Sequence, residues 1–552
     1  MRRSAPARVL RTLRHLKSTQ ILAQLRHWIG GEVVPVRVAG ETPRLRTDDT
    51  PVPFLGAPAH ARYDGGRHFE LIGHSVRFPT RIDWDYDEAG PLWAYHLHQF
   101  DYARAPSLGA QARTDLLLDW IERHPRGTGW NAHSTSLRIL SWGKLLLTPG
   151  ALSLDAEGQR RVCDSLASQL STLARHLELR LQANHLFSNR LALLFGGHLF
   201  DGKEAQRWLE RGLGLGRELD AQILTDGAHV ERSPMYHALL LENLLDLINL
   251  SRAAPRPAAA AVLERAESCA EGMLGALDLW TQPDGDIALF ADAGLGVAQT
   301  PEALAAYASK LDLRARAPAR PGLLDAAGYV RLEAGPYTLI ASVAGPMPSY
   351  QPGHAHCDAL SFELSIGKQR VVTDTGVCEY SPGPRRDLAR ATRSHSTVEV
   401  QGLDQAEIWG AHRVGGRPLV ALESADPPRS AEARCAGWAT PDTLHRRHFS
   451  VDAGGVQIRD SLEGRPRPVR FSLPLAPGLE PAFETQTRLK IALPTESATW
   501  LKIELPRGDD LHWRIERRPY FPTFGEERDR ACVVGEARNF RSGVWRLEVV
   551  TR

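Results

Sequence analysis

Two histidines stand two residues apart in GHAHCDALSFEL, residues 353–364, immediately before an alternating run that reads as a strand. In extended chain the side chains of His354 and His356 leave the backbone on one face, so both imidazoles can converge on one ion or one substrate. Asp374 lies in the next run, VVTDTG, and His395 in RSHSTVEV. Neutral imidazoles and a carboxylate on neighbouring strands are donors that zinc accepts. The same residues also fit structural roles, Asp374 capping a turn beside Gly376 and His395 packing at a strand start. Far upstream, NHLFSNR puts Asn184 and His185 at the start of a helical run, and ERSPMYH puts Tyr236 early in another. An amide, an imidazole and a phenol are groups that stabilise developing negative charge and move protons. Taken singly, Asn184 fits a helix N-cap and Tyr236 a core aromatic.

These residues must be carried by two kinds of element. From about 90 to 310 the apolar residues recur at helical spacing, predicting helices over 110–123, 134–147, 158–180, 185–200, 203–224, 229–251 and 257–280. Short connections between them predict antiparallel neighbours that wrap into a toroid or superhelix. After the Pro- and Arg-rich stretch ARAPARPG, 315–322, the period changes to two, and at least twelve short alternating runs predict an antiparallel sandwich or barrel. Helices followed by strands imply segregated layers. The expected division is 1–85 as a basic helix and lead-in, 86–318 as an (α/α) toroid, and 323–552 as a β-sandwich.

The 552 residues carry 67 Lys and Arg against 65 Asp and Glu, a net +2 that excludes the global positive field of a nucleic-acid binder. Recognition of an acidic ligand must therefore be local. The six cysteines are scattered without CxxC pairs, and they leave the redox compartment open. At the start, Leu10, Leu13, Leu16, Ile21, Leu22 and Leu25 recur among Arg11, Arg14 and Lys17, the pattern of a basic amphipathic helix. The basic residues interrupt any signal-peptide core. The helix is expected to dock on its own protein, with peripheral membrane contact as the alternative; no run is long enough to span a bilayer.

The ordered set W-x-x-H-S-T-S-L-R (130–138), N-H-L-F (184–187), D-G-x-x-x-E-R-S-P-x-Y-H (226–237), P-D-G-D (283–286), G-H-A-H-C-D (353–358), V-T-D-T-G (372–376) and R-x-T-R-S-H-S-T-V (390–398) resembles the heparinase II/III family of polysaccharide lyases. The resemblance implies an incomplete (α/α) toroid followed by a β-sandwich, with an acidic saccharide in the cleft between them. It implies catalytic roles for Asn184, His185, Tyr236 and His354, substrate contact by Tyr380 and Arg232, and a structural zinc on His356, Asp374 and His395. One departure stands at the last metal position, where Ser394-His395-Ser396-Thr397 replaces the family's A-H-N-T. By resemblance the compartment is the periplasm or cell envelope, with the cytoplasm as the alternative.

A lyase of this kind removes the C5 proton of a uronic acid and expels the O4-linked sugar. Asn184 and His185 suit the neutralisation of the substrate carboxylate, with both Asn184 N–H groups offered to it. Tyr236 suits the acid, and His354, His185 or Tyr236 as tyrosinate the base. Two other readings share the scaffold. One is a polysaccharide-binding protein of exopolysaccharide assembly. The other is a glycoside hydrolase, which needs a carboxylate pair that Glu231, Asp226, Asp284 and Asp286 could supply.

Overall fold

The computed structural model describes residues 5–30, 33–38, 41–46, 49–494 and 499–551. Its helical half runs through Pro91–Gln99, Ala110–Arg123, Ala132–Leu147, Ala156–Arg175, Ala183–Leu199, Lys203–Gly212, Leu215–Gln222, Pro234–Ala253, Ala260–Trp280 and Pro301–Lys310. Local chemistry sets several starts. Asn131, Asp155, Ser233 and Thr300 each accept a hydrogen bond from a backbone N–H three residues on, and prolines at 234 and 301 open two of these helices. The Ser233–Pro234 start is why the helix expected from 229 begins later and leaves 229–233 as a loop. The helix expected over 203–224 is two, broken around Leu213 and Gly214. There Gly212 lies against the Leu194 backbone, where a Cβ would come within 2.5 Å, and Gly214 lies against the Arg190 guanidinium. The helix expected to reach 180 stops at Arg175, because the Glu178 N–H bonds to Asn189 Oδ1 and turns the chain into a loop.

The lead-in contributes to this half. The strands Ala61–Tyr63, His68–Leu71 and His74–Arg77 form a small antiparallel sheet whose Phe69 and Leu71 join the helical core. Two further helices, Ala5–Leu13 and Ser18–Gly30, dock on the rest of the chain through their polar side. They leave Leu10, Leu13, Ile21, Leu22 and Leu25 exposed. Among the described residues no helix is long and apolar enough to cross a membrane.

The second half is two antiparallel layers. One is an eight-stranded sheet in the order Leu419–Asp426, Ser430–Ala436, Thr443–Asp452, Gly455–Gly464, Ser542–Thr551, Thr499–Glu504, Arg488–Ala492 and Pro481–Thr485. The other joins a five-stranded sheet, which runs in sequence order from Leu323–Leu324 to Gln369–Val372, to a four-stranded sheet through the bridge between Val372 and Leu475. Leu339, Leu364, Phe449, Ile458, Phe471 and Leu547 meet between the layers. Full burial of each such side chain stabilises by roughly 1.5–3 kcal/mol. The Thr443–Asp452 strand alternates buried and half-exposed residues as a two-sided strand must. The Tyr337–Ser342 strand is buried throughout. Its outer face carries Ile340, which packs with Trp280, Phe290 and Tyr329, so this sheet is sandwiched between its partner layer and the helices.

Candidate functional site

Tyr236 stands in the first turn of the Pro234–Ala253 helix, its backbone N–H bonded to the Ser233 cap. His354 arrives from the sheet half, in the loop before the Phe362–Ile366 strand. The two rings face each other with centroids 4.1 Å apart. The Tyr236 hydroxyl lies 2.8 Å from the Tyr380 hydroxyl, so the residue expected to contact substrate stands beside the expected acid. Burial raises the Tyr236 phenol above its ordinary pKa and keeps it protonated.

The centre of the site is a carboxylate that the motif reading passed over. Asp292 is fully buried, and its Oδ2 and Oδ1 lie 2.9 Å from His354 Nδ1 and His356 Nε2 respectively. Arg386, also buried, grips both oxygens, with Nη2 at 2.8 Å from Oδ2. Burial alone would raise the pKa of Asp292, but Arg386 and the two imidazole hydrogen bonds drive it well below the carboxylate range. An ionised Asp292 makes Nδ1 the donor of a neutral His354 and leaves Nε2 as an acceptor. It likewise makes Nε2 the donor of His356 and frees Nδ1. The expectation that the two imidazoles share a face is realised at this one carboxylate. His412 packs on His354 and Tyr380, and burial together with His354 holds it neutral at about 3.

The helical wall differs in detail from expectation. Asn184 is buried, and its Nδ2 lies 2.9 and 2.8 Å from the two carboxylate oxygens of Glu231. At most one of its N–H groups is left for a substrate, rather than two, because Glu231 is an ionised acceptor. Burial would raise the pKa of Glu231, but charge on His354 or His229, when they are protonated, and the Asn184 hydrogen bonds lower it. His185 Nδ1 lies 3.2 Å from Glu178 Oε2, and its ring packs on His133 at 4.4 Å. Burial would lower the pKa of His185, yet the Glu178 charge and hydrogen bond outweigh this and hold it above the ordinary value. The cationic form therefore persists to higher pH. Replacing Glu178 with Gln removes that charge, so the alkaline limb of the pH–rate profile should move to lower pH. An unmoved limb would take His185 out of the titration.

Arg232 does not face a substrate. It is 5% exposed, and its guanidinium donates to the carbonyl oxygens of Gly345 and Gly328 and to Ser342 Oγ, clamping the helical half to the sheet half. Its backbone is left-handed, at φ 59°, a strained conformation for a side chain of this size. Of the four carboxylates considered for hydrolysis only Glu231 lies at the site. Asp226 bonds the backbone N–H groups of Ala228 and Ala327, Asp284 pairs with Arg370 at 2.6 Å, and Asp286 bonds the Ile287 N–H.

His356, Asp374 and His395 form a buried cluster whose donor atoms lie within 4.8 Å of one another. His395 Nδ1 is 2.9 Å from Asp374 Oδ1, while His395 Nε2 and His356 Nδ1 are buried without a hydrogen-bond partner. Burial holds His356 neutral, at about 4. Two imidazoles with orphaned nitrogens and a carboxylate are a set that could hold zinc. The change to Ser396 beside His395 is accommodated, since its hydroxyl donates to the Phe362 carbonyl and accepts from the Phe362 N–H.

Asp292, Arg386, Glu178, His133 and His412, which contact the candidate residues, were not singled out from the sequence. Asp292 did leave a signal as the single carboxylate in the apolar stretch IALFADAG, and His133 lies in a quoted motif. Arg386, one of several arginines in PRRDLAR, left none.

The profile described as heparinase II/III N-terminus matches residues 73–294, and that described as heparinase II/III-like, C-terminal, matches 316–539. FtsZ-localized protein C of Caulobacter vibrioides is 28% identical over 463 residues, covering 80% of this chain and 76% of that protein. Its name gives a location rather than a reaction. The heparin-sulfate lyase of Pedobacter heparinus is 26% identical over 327 residues, 51% of this chain and 46% of that enzyme. Among solved structures, one of heparinase III superposes with a TM-score of 0.67 at 18% identity, over 87% of this chain and 80% of that one. One of a heparan sulfate lyase from Pedobacter heparinus superposes at 0.59 and 18%, over 88% and 82%. These structural likenesses concern the fold, an incomplete toroid followed by a sandwich. With its two profiles together spanning most of its length, the chain belongs to the heparinase II/III family of polysaccharide lyases.

Proposed function

We propose that the chain cleaves a uronic-acid-containing polysaccharide by β-elimination, with His354 as base and Tyr236 as acid. The observation that carries this reading is the contact of Tyr236 with a His354 whose Nδ1 is held by ionised Asp292. An imidazole fixed in this way offers Nε2 as a proton acceptor and is stabilised once it becomes a cation. His354 Nε2 takes the C5 proton. The C5–H electron pair becomes the C4=C5 double bond as the C4–O4 bond breaks, and the Tyr236 hydroxyl gives its proton to the departing O4. The phenolate left on Tyr236 faces the new imidazolium, and return of the proton between them resets the site. A cationic His185 and the remaining Asn184 N–H supply the positive environment that the substrate carboxylate needs as charge builds on C5. A protein that only holds a saccharide has no need of the Asp292–His354 pair, and the dispersal of Asp226, Asp284 and Asp286 disfavours hydrolysis.

The test is a screen of heparan sulfate, alginate and glucuronan for the ultraviolet absorbance of a conjugated 4,5-double bond. Growth of absorbance supports elimination. New reducing ends without absorbance would indicate hydrolysis.

A structural zinc on His356, Asp374 and His395 belongs to the same proposal. When bound it would supply fixed charge that orders the loop behind His354. His356 is the link, since its other nitrogen bonds the carboxylate that orients His354. Purified protein should contain stoichiometric zinc by elemental analysis. Chelation should lower the melting temperature by several degrees, and His395→Ala should abolish both the metal and the chelator effect. A metal-free protein whose melting is indifferent to chelator would remove zinc from the picture.

A further inference from the structure

The N-terminal helices touch both the helical half and the sheet half, at residues close in sequence to those of the site. Gln20, 2% exposed, donates through Nε2 to the Arg180 carbonyl of the helical half and to the Tyr350 carbonyl of the sheet half, each at 3.3 Å. Thr19 Oγ1 accepts from Gln182 Nε2 at 2.9 Å, two residues before Asn184. The Lys17 ammonium sits 3.6 Å over the Tyr350 ring, four residues before His354. Further along, Arg11 pairs with both oxygens of Glu407 at 2.8 and 2.5 Å and stacks on Trp438, while Arg8 stacks on Trp409. Trp409 Nε1 donates to Thr12 Oγ1 at 3.1 Å. Glu407 precedes, and Trp409 belongs to, the short hairpin of Ile408–Trp409 with Arg413–Val414, whose turn carries His412 into the site.

We infer that residues 8–20 form a strap that closes one end of the groove, so that the enzyme works from the ends of acidic chains rather than at internal linkages. This rests on the lyase reading for its chemistry, but the closure itself rests on Gln20. A polymer lying through the groove would have to pass where one dry side chain bonds both walls. Parting that contact in place would leave the amide and two carbonyls without partners, an unfavourable state for buried polar groups. The basic residues also give the closed end its character. Lys17, over the Tyr350 ring, and Arg180, whose charge acts on His185, stand at the blocked end, where the carboxylate of a terminal uronic acid would meet positive charge. Strap and hairpin hold one another, so loosening the strap also loosens His412.

Binding stoichiometry tests the closure without turnover. The full-length Tyr236→Phe variant is titrated with heparan sulfate, alginate and glucuronan, each in a short and a long chain length. A groove closed at one end binds the same number of protein molecules per chain at both lengths. The same background with Gln20→Ala and Arg11→Ala, its fold checked by melting temperature, should bind several-fold more molecules on the long chains. The native enzyme should release short unsaturated products from the outset while the remaining polymer keeps its size. Stoichiometry that grows with chain length before the strap is altered overturns the closure, even where unsaturated product forms. No change on altering the strap overturns it as well. Length-independent binding with no unsaturated product from the native enzyme upholds the closure and sinks the lyase reading, and failure to bind any of the polymers sinks both.

Discussion

Tyr236→Phe should abolish formation of unsaturated product while leaving melting temperature and polymer binding near those of the native chain. The substitution removes one oxygen and keeps the ring against His354, so packing on both sides of the 4.1 Å contact survives. What it loses is the proton that O4 takes on leaving in the proposed reaction. The Tyr380 hydroxyl, 2.8 Å away, is left without its partner, but it cannot occupy the vacated point. A positioned acid contributes about 10²–10⁴-fold, and loss at the upper end of that range is expected because alkoxide is a poor leaving group. The measurement is initial rate of absorbance growth, with binding followed separately by titration. Full activity in this variant would remove Tyr236 from the mechanism.

Asp292→Asn should lose both activity and stability. The native carboxylate serves two imidazoles and a bidentate guanidinium, all of them buried. An amide has one acceptor oxygen and turns an N–H donor toward one of these donors, and the Arg386 charge is left without its counter-ion. Breaking a buried ion pair from one side costs about 3–5 kcal/mol. That loss should appear in chemical denaturation. Activity should fall by about 10²-fold or more, since His354 no longer has its Nδ1 proton fixed and Nε2 free. The conservative Asp292→Glu separates the two effects: it restores charge to Arg386, with partial recovery of stability, but displaces His354 and so recovers little rate. If Asp292→Asn melts with the native protein and turns over normally, the central carboxylate has been misassigned.

Much of this architecture was legible because local rules and tertiary packing agree. The helix over 110–123 is observed at Ala110–Arg123, and the change of period after 315–322 coincides with the passage from helices to strands. The misjudged ends have local causes, a proline with its cap at Ser233 and glycines 212 and 214 pressed on neighbouring helices. The proposed site residues Tyr236, His354 and Asn184 were singled out through motifs, because short-range spacing survives in sequence. Their partners were harder to see. Asp292 acts across 62 residues on His354 and Arg386 across 94 on Asp292, and pairings of that reach have no periodic trace. Asn184 was read with both N–H groups free, because its contact with Glu231 exists only once the loop before Pro234 folds back. Arg232 stands in the same motif as Tyr236, yet its side chain is drawn to backbone carbonyls of the sheet half that no local pattern announces.

The Arg232 clamp also limits how the molecule can move. Its guanidinium joins the loop that begins the Tyr236 helix, four residues before Tyr236 itself, to the turns around Gly328 and Gly345. Swinging the toroid away from the sandwich would strand a buried cation and three acceptors at once, a cost that opposes opening of the two halves. The contact thereby favours a fixed spacing of Tyr236 and His354, the acid and base of the proposed reaction.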